Sequence, residues 1–383
     1  MTVFSHTVLR PHAIMTLMCC DDIVSSMAKL KFVDVSHAGK FTVAAFIEMV
    51  VSLSNHYKYG EKSMYDRPIL AIIRENLDSE GKLPREFTMP KDPDDESEIF
   101  FADGAEDGIT YFHVQPRALN DEEADLLINA LNAMVGGHVD TADELFLKLT
   151  KTRRAVEFGG GLCDIVEENA SMINPIHAYS YGMHLVTMAK DKELVKIGLA
   201  LHHKAPEDRL KSFKQIILDL AYCNEFTWFC LPIIQKWEGG NDLIFEIAQH
   251  VYGWGRVHAC GFLKPETWEI RTWFLTEGVD NGVMPPYTAL EAWNKSDAAS
   301  LLDSRLTQKG FTCISRIMAA LLDEEPCRGI SLVEEPESAI RKFLNQAQSF
   351  KLGPEDYEVI KTIEARWDRD DQIAGLCEDI LYR

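Results

Sequence analysis

From residue 120 onward, apolar residues recur with the 3.6-residue period of an amphipathic helix, and almost no strand-like alternation interrupts them. The clearest apolar stripes are Leu210, Phe213, Ile216, Ile217 and Leu220; Ile244, Ile247, Ala248 and Val251; and Ile314, Ile317, Met318, Leu321 and Leu322. Each stripe must be buried against a neighbouring helix, and about ten such helices joined by short turns leave only a bundle or a solenoid. The sequence therefore predicts a mainly α fold.

Two of the predicted helices indicate an internal repeat. The segments that begin at Glu193 (ELVKIGLALHH) and at Asp242 (DLIFEIAQHVYG) align with a spacing of about 49 residues, close to the two-helix unit of HEAT-like repeats. A two-layer array, in which each unit buries one face on its neighbours, explains such stripes better than a single closed core. We predict a HEAT-like α-helical repeat array (α-solenoid) over residues 120–383 and a small N-terminal α+β module over residues 1–119.

Several positions predict where the helices begin. Asn120 with Glu123, and Thr141 with Glu144, have the spacing of a capping box, in which two side chains satisfy the free backbone N–H groups of the first turn. Four prolines precede acidic residues and then an apolar-periodic run, as expected of proline in a first helical turn: Pro206, Pro265, Pro336 and Pro354.

The N-terminal module has a different pattern. We predict helices over residues 43–53 and 68–77, and a loop over the polar, Gly-, Pro- and Asp-rich residues 79–107. Residues 98–102 (EIFFA) and 109–114 (ITYFHV) are rich in side chains that favour strands, and the turn-forming sequence DGAEDG joins them. We therefore expect a β-hairpin at the end of the module.

The chain is strongly acidic, with a formal net charge of -21 from 60 acidic and 39 basic residues. Nucleic acid and anionic membrane surfaces would be repelled, whereas basic protein partners or cationic ligands would be attracted. The apolar run at residues 13–20 is too short to span a membrane, and the nine cysteines lack the spacing of a disulfide framework. We expect a cytoplasmic protein that binds neither nucleic acid nor membrane.

Patterns that would hold a metal or a cofactor have a simpler structural explanation. His138 and Asp140 match the start of an iron-binding triad, but two glycines before them indicate a turn between helices in which Asp140 or Thr141 is a cap. The glycines at 159–161 lack the spacing of a nucleotide-binding loop and are predicted to form a hinge or a cap. We expect no metal and no cofactor.

The aromatic residues are concentrated in one region, since six of the seven tryptophans lie between residues 228 and 293. Glycines there permit close backbone approach, and arginines there pair with carboxylates or stack on rings. The predicted binding residues are Trp254, Arg256, His258, Trp268, Glu269, Arg271 and Trp273. Because Gly253 and Gly255 are unfavourable inside a helix, we expect a helix break that exposes an edge of Trp254. The alternative is that these side chains bridge adjacent repeats in the core.

The run over residues 253–284, together with residues 330–343 (ISLVEEPESAIRKF), resembles uncharacterised bacterial helical proteins that carry the label limonene hydroxylase. This resemblance covers about a third of the chain and rests on a pattern of residues. It implies a similar all-helical, HEAT-like fold. The label also implies a monooxygenase activity, which would require haem, flavin or iron.

Two functions of different classes follow from these observations. The first is a non-catalytic helical-repeat protein that binds a protein partner through its aromatic-rich face. The second is an enzyme that acts on a small hydrophobic substrate, hydroxylase-like as the resemblance implies, with a cofactor that the sequence does not identify. The sequence favours the first, because no motif in it requires catalytic chemistry.

Overall fold

The computed structural model describes residues 67–90, 101–170, 173–211, 213–325 and 327–382. These residues form eighteen α-helices, two short 3-10 helices and no strand, which confirms the predicted mainly α fold. In chain order the α-helices are α1 (Ile69–Glu75), α2 (Ala105–His113), α3 (Asp121–Val135), α4 (Val139–Thr150), α5 (Ala155–Glu168), α6 (Pro175–Met188), α7 (Lys192–Ala200), α8 (Lys214–Ala221), α9 (Thr227–Ile234), α10 (Gly240–His250), α11 (Trp254–Phe262), α12 (Trp268–Glu277), α13 (Pro286–Lys295), α14 (Ala298–Leu301), α15 (Gln308–Leu322), α16 (Pro336–Ala347), α17 (Pro354–Arg366) and α18 (Asp371–Leu381).

Two helices lie in the described part of the region predicted to form the N-terminal module. α1 confirms the helix predicted over residues 68–77, whereas the helix predicted over residues 43–53 lies outside the described residues. The predicted hairpin is wrong, because residues 109–113 are the second half of α2. Of its other predicted strand only residues 101–102 are described, and they are not in a strand. α2 also begins inside the predicted loop, because contacts with the rest of the fold override the strand propensity of this segment.

Local sequence rules identified several helix ends correctly. The side chain of Asn120 accepts a hydrogen bond from the backbone N–H of Glu123 at 2.9 Å, and the Glu123 carboxylate accepts one from the N–H of Asn120 at 2.9 Å. The predicted capping box at the start of α3 is thus confirmed. Pro336 and Pro354 are the first residues of α16 and α17, whereas Pro206 and Pro265 lie before the helices that follow them and not in their first turns.

Other predicted helix ends are wrong. Thr141 and Glu144 lie inside α4, whose N-cap position is taken by His138 without a side-chain hydrogen bond, so neither Asp140 nor Thr141 is the cap. Gly136 and Gly137 complete the preceding turn, with φ of 76° at Gly137, so the helix begins two residues later at Val139. The glycines at 159–161 lie inside α5 and form neither a hinge nor a cap.

Alternate helices form a continuous row: α5, α7, α9, α11, α13, α15 and α17 each contact the next member. α6, α8, α10 and α12 pack against helices of this row, and α1 contacts both α6 and α8. α2 lies across the N-terminal parts of five members, from α5 to α13, as the contacts below show. The apolar core follows the same order, with one cluster of buried residues from Ile69 to Phe274 and a second from Val279 to Ile380.

Six of the cysteines are buried thiols outside any disulfide, consistent with the predicted lack of a disulfide framework: Cys163, Cys223, Cys230, Cys260, Cys313 and Cys377. Their burial among apolar side chains makes them small core residues. Cys19 and Cys20, like the apolar run at residues 13–20, lie outside the described residues. Within the described ranges, no helix combines the length and the apolar character that crossing a bilayer would need.

Candidate functional site

The seven predicted binding residues fall into a buried group and an exposed group. Only 2–8 % of the surface of each buried member is exposed, and these members are Trp254, Arg256, His258 and Trp273. The exposed members lie in the first two turns of α12, and they are Trp268, Glu269 and Arg271. Trp268 is 73 % exposed. The structure therefore does not bring the seven residues together on one accessible face.

The helix break predicted near Gly253 is present, but it does not expose Trp254. α10 ends at His250 and α11 begins at Trp254, and between them Gly253 has φ of 124° and donates its N–H to the carbonyl oxygen of Asn281 at 2.7 Å. The expectation that an edge of Trp254 is exposed is wrong, since the ring is 2 % exposed. The cause is α2, because Gly108 lies directly against this ring.

Arg256 joins parts of the core through carbonyl oxygens and aromatic rings. Its Nε donates to the carbonyl oxygen of Ala248 at 3.0 Å, and Nη1 donates to that of Asp280 at 2.6 Å. The guanidinium carbon lies 5.1 Å from the ring centroid of Trp273, which is a cation–π arrangement. Burial lowers the pKa of Arg256 from its usual range. The predicted stacking on a ring is present, and it is part of the internal packing.

His258 is enclosed by aromatic rings that α2 and the row supply together. The ring centroids of Tyr111, Phe112, Trp228 and Trp254 lie 5.7–6.4 Å from that of the imidazole. Burial lowers the pKa of His258 to about 3, and its Nε2 has no hydrogen-bond partner among the described residues. The imidazole is therefore neutral at neutral pH, and it packs as one more aromatic ring.

A second buried cluster, here called the Lys196 cluster, lies at the other end of α2. The side chain of Lys196 is fully buried, and its Nζ lies 2.5 Å from Oδ2 of Asp107, 2.8 Å from Oε1 of Glu193 and 2.7 Å from Oε1 of Glu225. The Asp107 contact is an ion pair without hydrogen-bond geometry at Oδ2. Three carboxylates from α2, α7 and the turn before α9 thus surround one ammonium group.

Two further cations balance these three carboxylates. Nε of Arg154 lies 2.9 Å from Oδ1 of Asp107, its Nη2 lies 3.1 Å from Oε1 of Glu193, and Nζ of Lys192 lies 3.5 Å from Oε1 of Glu225. Backbone groups complete the cluster, since Ala155 N–H donates to Glu193 at 2.7 Å and Gly104 N–H donates to Glu225 at 2.8 Å. The three cations thus contact all three carboxylates of the Lys196 cluster.

The protonation states in this cluster decide which chemistry it can perform. Burial opposes the charged form of Lys196, but Asp107, Glu193 and Glu225 outweigh it and raise its pKa well above the usual range. Burial likewise opposes the charged form of Glu193, but Lys196 and Arg154 lower its pKa to about 2. A permanently protonated lysine cannot attack a carbonyl carbon, so the cluster does not provide the nucleophile of a Schiff-base enzyme.

The same carboxylates have the spacing of a metal-binding group. Oxygen atoms of Asp107, Glu193 and Glu225 all lie within 4.8 Å of one another. The ammonium group of Lys196 lies 2.5–2.8 Å from all three residues, so it takes the position that a cation would need. The geometry is therefore that of an ion-pair cluster that joins helices. His138, which the sequence associates with Asp140, lies at the N-cap of α4, away from this group.

Trp268 projects from a well-ordered helix start. The hydroxyl of Thr267 caps α12 by accepting a hydrogen bond from the N–H of Ile270 at 3.3 Å. Asn241 fixes the preceding turn, because its Nδ2 donates to the carbonyl oxygen of Lys264 at 3.1 Å and its Oδ1 accepts from the N–H of Lys264 at 2.9 Å. Nε of Arg271 donates to a carbonyl oxygen of that turn at 2.9 Å. The exposed indole is thus held on a rigid support.

Sequence reasoning missed the Lys196 cluster and the position of α2. One feature of the sequence does point to the cluster: Lys196 stands alone within the apolar run LVKIGLA of α7, all of which is buried. A lysine in such a run needs a buried carboxylate partner. The partners Asp107 and Glu225 lie far away in sequence, so only the fold shows which carboxylates they are. Comparison with protein families, with curated proteins and with solved structures gives no match to this chain.

Proposed function

We propose that this chain is a non-catalytic, HEAT-like α-helical repeat protein that binds a basic protein partner through the surface around Trp268. The repeat architecture is supported by the row of alternate helices, each of which contacts the next while α6, α8, α10 and α12 pack against it. Stacking of this kind is expected when each repeat unit buries one face on its neighbour. It leaves the outer turns of the second set of helices accessible to a partner.

The exposure of Trp268 carries this proposal. All seven tryptophans lie in the described ranges, and Trp268 is the one that is exposed. An exposed indole buries a large apolar area when a partner covers it, and tryptophan is enriched among the residues that dominate binding energy. The rigid support of Trp268 also lowers the entropy that binding would cost.

The charge around Trp268 indicates the chemistry of the partner. Glu266 and Glu269 are exposed beside it, and the exposed Lys264 and Arg271 offset them locally, so the attraction for a basic partner comes from the net charge of -21 of the chain as a whole. A negative surface steers positively charged partners toward the site and repels acidic ones. We therefore expect the partner segment to combine lysine or arginine with an apolar side chain that covers the indole.

A peptide-display selection tests this proposal, because it does not require an identified partner. A library of random 16-residue peptides is selected on the immobilised unmodified protein alone, and the binding of the retained peptides to this protein and to the Trp268→Ala variant is then measured. Peptides that remain should be rich in lysine and arginine, and they should bind the variant about 30-fold more weakly, which corresponds to about 2 kcal/mol for a dominant interface residue. Their affinity should also fall as salt is raised.

Tyr382 provides the matched control, because it is 77 % exposed and directly follows α18, six helices after the one that carries Trp268. Tyr382→Ala should bind the selected peptides as the unmodified protein does. The proposal is wrong if the selected peptides bind Trp268→Ala with unchanged affinity, or if they are acidic.

A further inference from the structure

α2 does not have the sequence of a stable helix. It has only nine residues, with Gly108 near its centre and the β-branched Ile109 and Thr110 directly after it. Isolated helices shorter than about 12 residues are marginal in water, and both glycine and β-branched residues weaken them further. The helical form of α2 therefore depends on the surface against which it lies. We call that surface, formed by the N-terminal parts of α5, α7, α9, α11 and α13, the α2 groove.

The polar end of the α2 groove recognises a carboxylate. Asp107 lies 2.5 Å from Nζ of Lys196 and 2.9 Å from Nε of Arg154, and it is buried. Glu106, next to it, lies 3.0 Å from Nη1 of Arg154. Two cations of the row thus contact the Asp107 carboxylate, so this end of the groove fits an aspartate.

The apolar end of the groove recognises one residue without a side chain and one aromatic ring. A Cβ atom at position 108 would lie 2.1 Å from Cε3 of Trp254, so only glycine fits there. One helical turn later, the ring of Phe112 lies 5.1 Å from that of Tyr287 and 6.1 Å from that of Trp254. The groove thus fits the pattern Asp-Gly-x-x-x-Phe on a helix.

α2 packs against this surface on one side, and it is not enclosed on all sides as a core helix is. Of its nine residues, three are buried, namely Ala105, Asp107 and Gly108. Tyr111 is 43 % exposed although its ring contacts that of Trp228 at 5.8 Å. We propose that the α2 groove is a second docking site, which α2 occupies within this chain and which binds a partner helix of the same Asp-Gly-x-x-x-Phe pattern when α2 is displaced. This site is separate from Trp268 and does not depend on the function proposed for it.

A full-length variant with α2 displaced tests the inference. In Gly108→Leu the new side chain cannot lie against Trp254, so α2 should leave the groove. Gly160→Leu is the matched control, because it places the same side chain on an exposed glycine of α5 with nothing within 4 Å of a Cβ. The probe is a fluorescein-labelled peptide of residues 101–116 (FADGAEDGITYFHVQP), and its binding is followed by fluorescence anisotropy.

We expect the peptide to bind Gly108→Leu and not the control. A segment attached to the same chain competes at an effective concentration on the order of millimolar, so a peptide with a Kd of about 10 µM should bind the unmodified protein about 100-fold more weakly than the variant. The same peptide with Asp107→Asn should bind more weakly, because an amide cannot supply the negative charge that Asp107 presents to Lys196 and Arg154.

Equal binding of the peptide to Gly108→Leu and Gly160→Leu would overturn the inference, and so would the absence of binding to a folded Gly108→Leu. If Gly108→Leu does not fold, Phe112→Ala is used, since it weakens α2 without inserting a larger side chain. Peptide binding to Phe112→Ala supports the inference, and a folded Phe112→Ala without binding refutes it. If neither variant folds while Gly160→Leu does, α2 is an obligatory part of the core and the inference is wrong.

Discussion

Nζ of Lys196 lies 2.5 Å from Oδ2 of Asp107, so that a fully buried ammonium group on α7 is paired with a carboxylate on α2. Glu193 and Glu225 approach the same atom at 2.8 and 2.7 Å. The arrangement balances charges that would each be strongly unfavourable alone in a buried place. It also ties α2 to the row, because Asp107 is the carboxylate that α2 contributes to the cluster.

Replacing Lys196 by methionine should strongly destabilise the protein. The substitution keeps most of the apolar volume but leaves Asp107, Glu193 and Glu225 without their common partner, and breaking a buried ion pair in this way costs about 3–5 kcal/mol. Chemical denaturation measures the loss. Lys361→Met is the control, since Lys361 is exposed and pairs with Glu358 on the surface, and it should be as stable as the unmodified protein. Equal stability of the two variants would contradict the proposed charge balance.

Trp254→Ala and Trp268→Ala should differ sharply in stability. Trp254 is 2 % exposed, so its truncation leaves a cavity and should lower the free energy of unfolding by about 3–5 kcal/mol. Trp268 is 73 % exposed, so its truncation should change stability by about 0.5 kcal/mol or less. Thermal or urea unfolding followed by circular dichroism distinguishes them. A large loss for Trp268→Ala would show that the indole is covered in solution.

A glycine contact between α6 and α7 predicts opposite effects for two similar substitutions. A Cβ at Gly198 would lie 2.7 Å from the carbonyl oxygen of Gly182, so Gly198→Ala must push the helices apart and should cost about 1–3 kcal/mol. Gly160 in α5 has nothing near its Cβ position, so Gly160→Ala should stabilise the protein by up to about 1 kcal/mol through helix propensity. Urea midpoints of the two variants should therefore shift in opposite directions.

The buried His258 predicts a loss of stability toward acidic pH. Burial lowers its pKa to about 3 in the folded protein, whereas the ordinary value is 6.5. Below pH 6.5 the unfolded chain takes up a proton that the folded protein does not, so folding becomes less favourable as pH falls toward 3. His258→Phe removes this difference and should reduce the pH dependence of stability by at most about 1.4 kcal/mol per pH unit.

Two carboxyl groups change the stability of the fold in the opposite direction over the same pH range. Burial raises the pKa of both Asp103 and Asp191 to about 6. As pH falls from about 7 toward 4, the folded protein therefore takes up these protons at a higher pH than the unfolded chain does, and this adds stability. Both residues are present in His258→Phe, and their contribution therefore cancels in the comparison. The difference between the urea midpoints of the two proteins should be constant between pH 7 and 8 and should shift in favour of His258→Phe toward pH 5. A constant difference down to pH 5 would show that His258 is accessible to protons.

The parts of the fold that the sequence predicted correctly depend on neighbouring residues. The capping box of Asn120 and Glu123 and the first-turn position of Pro336 need only a few residues of context. A correct prediction of α2 would have required contacts with distant parts of the chain, because Ile109 and Thr110 favour a strand and are held in a helix by groups far away in sequence. The start of α4 shows that local patterns can also fail at short range. The N-cap position is His138, two residues before the predicted cap at Asp140.

The predicted exposure of Trp254 was wrong because exposure is a property of the fold. Trp254 and Trp268 both follow a turn and both begin a helix, and nothing in the residues around them distinguishes the buried ring from the exposed one. Trp254 is covered by α2, which the sequence suggested was a strand. The tryptophan-rich region could therefore be identified from the sequence, but the accessible residues within it could not.

α2 reaches from Arg154 at the start of α5 to Tyr287 in α13, while the members of the row contact their immediate neighbours. Helices that contact only their neighbours can open one after another, but a segment bound to five of them makes their opening a shared event. Amide protons from α5 to α13 should therefore exchange with solvent through one common opening. α15 to α18, which share the second core cluster with α13 but lie outside the set of helices that α2 joins, should open separately and at a different free energy. One nine-residue helix would thus set the boundary between two cooperative units of the protein.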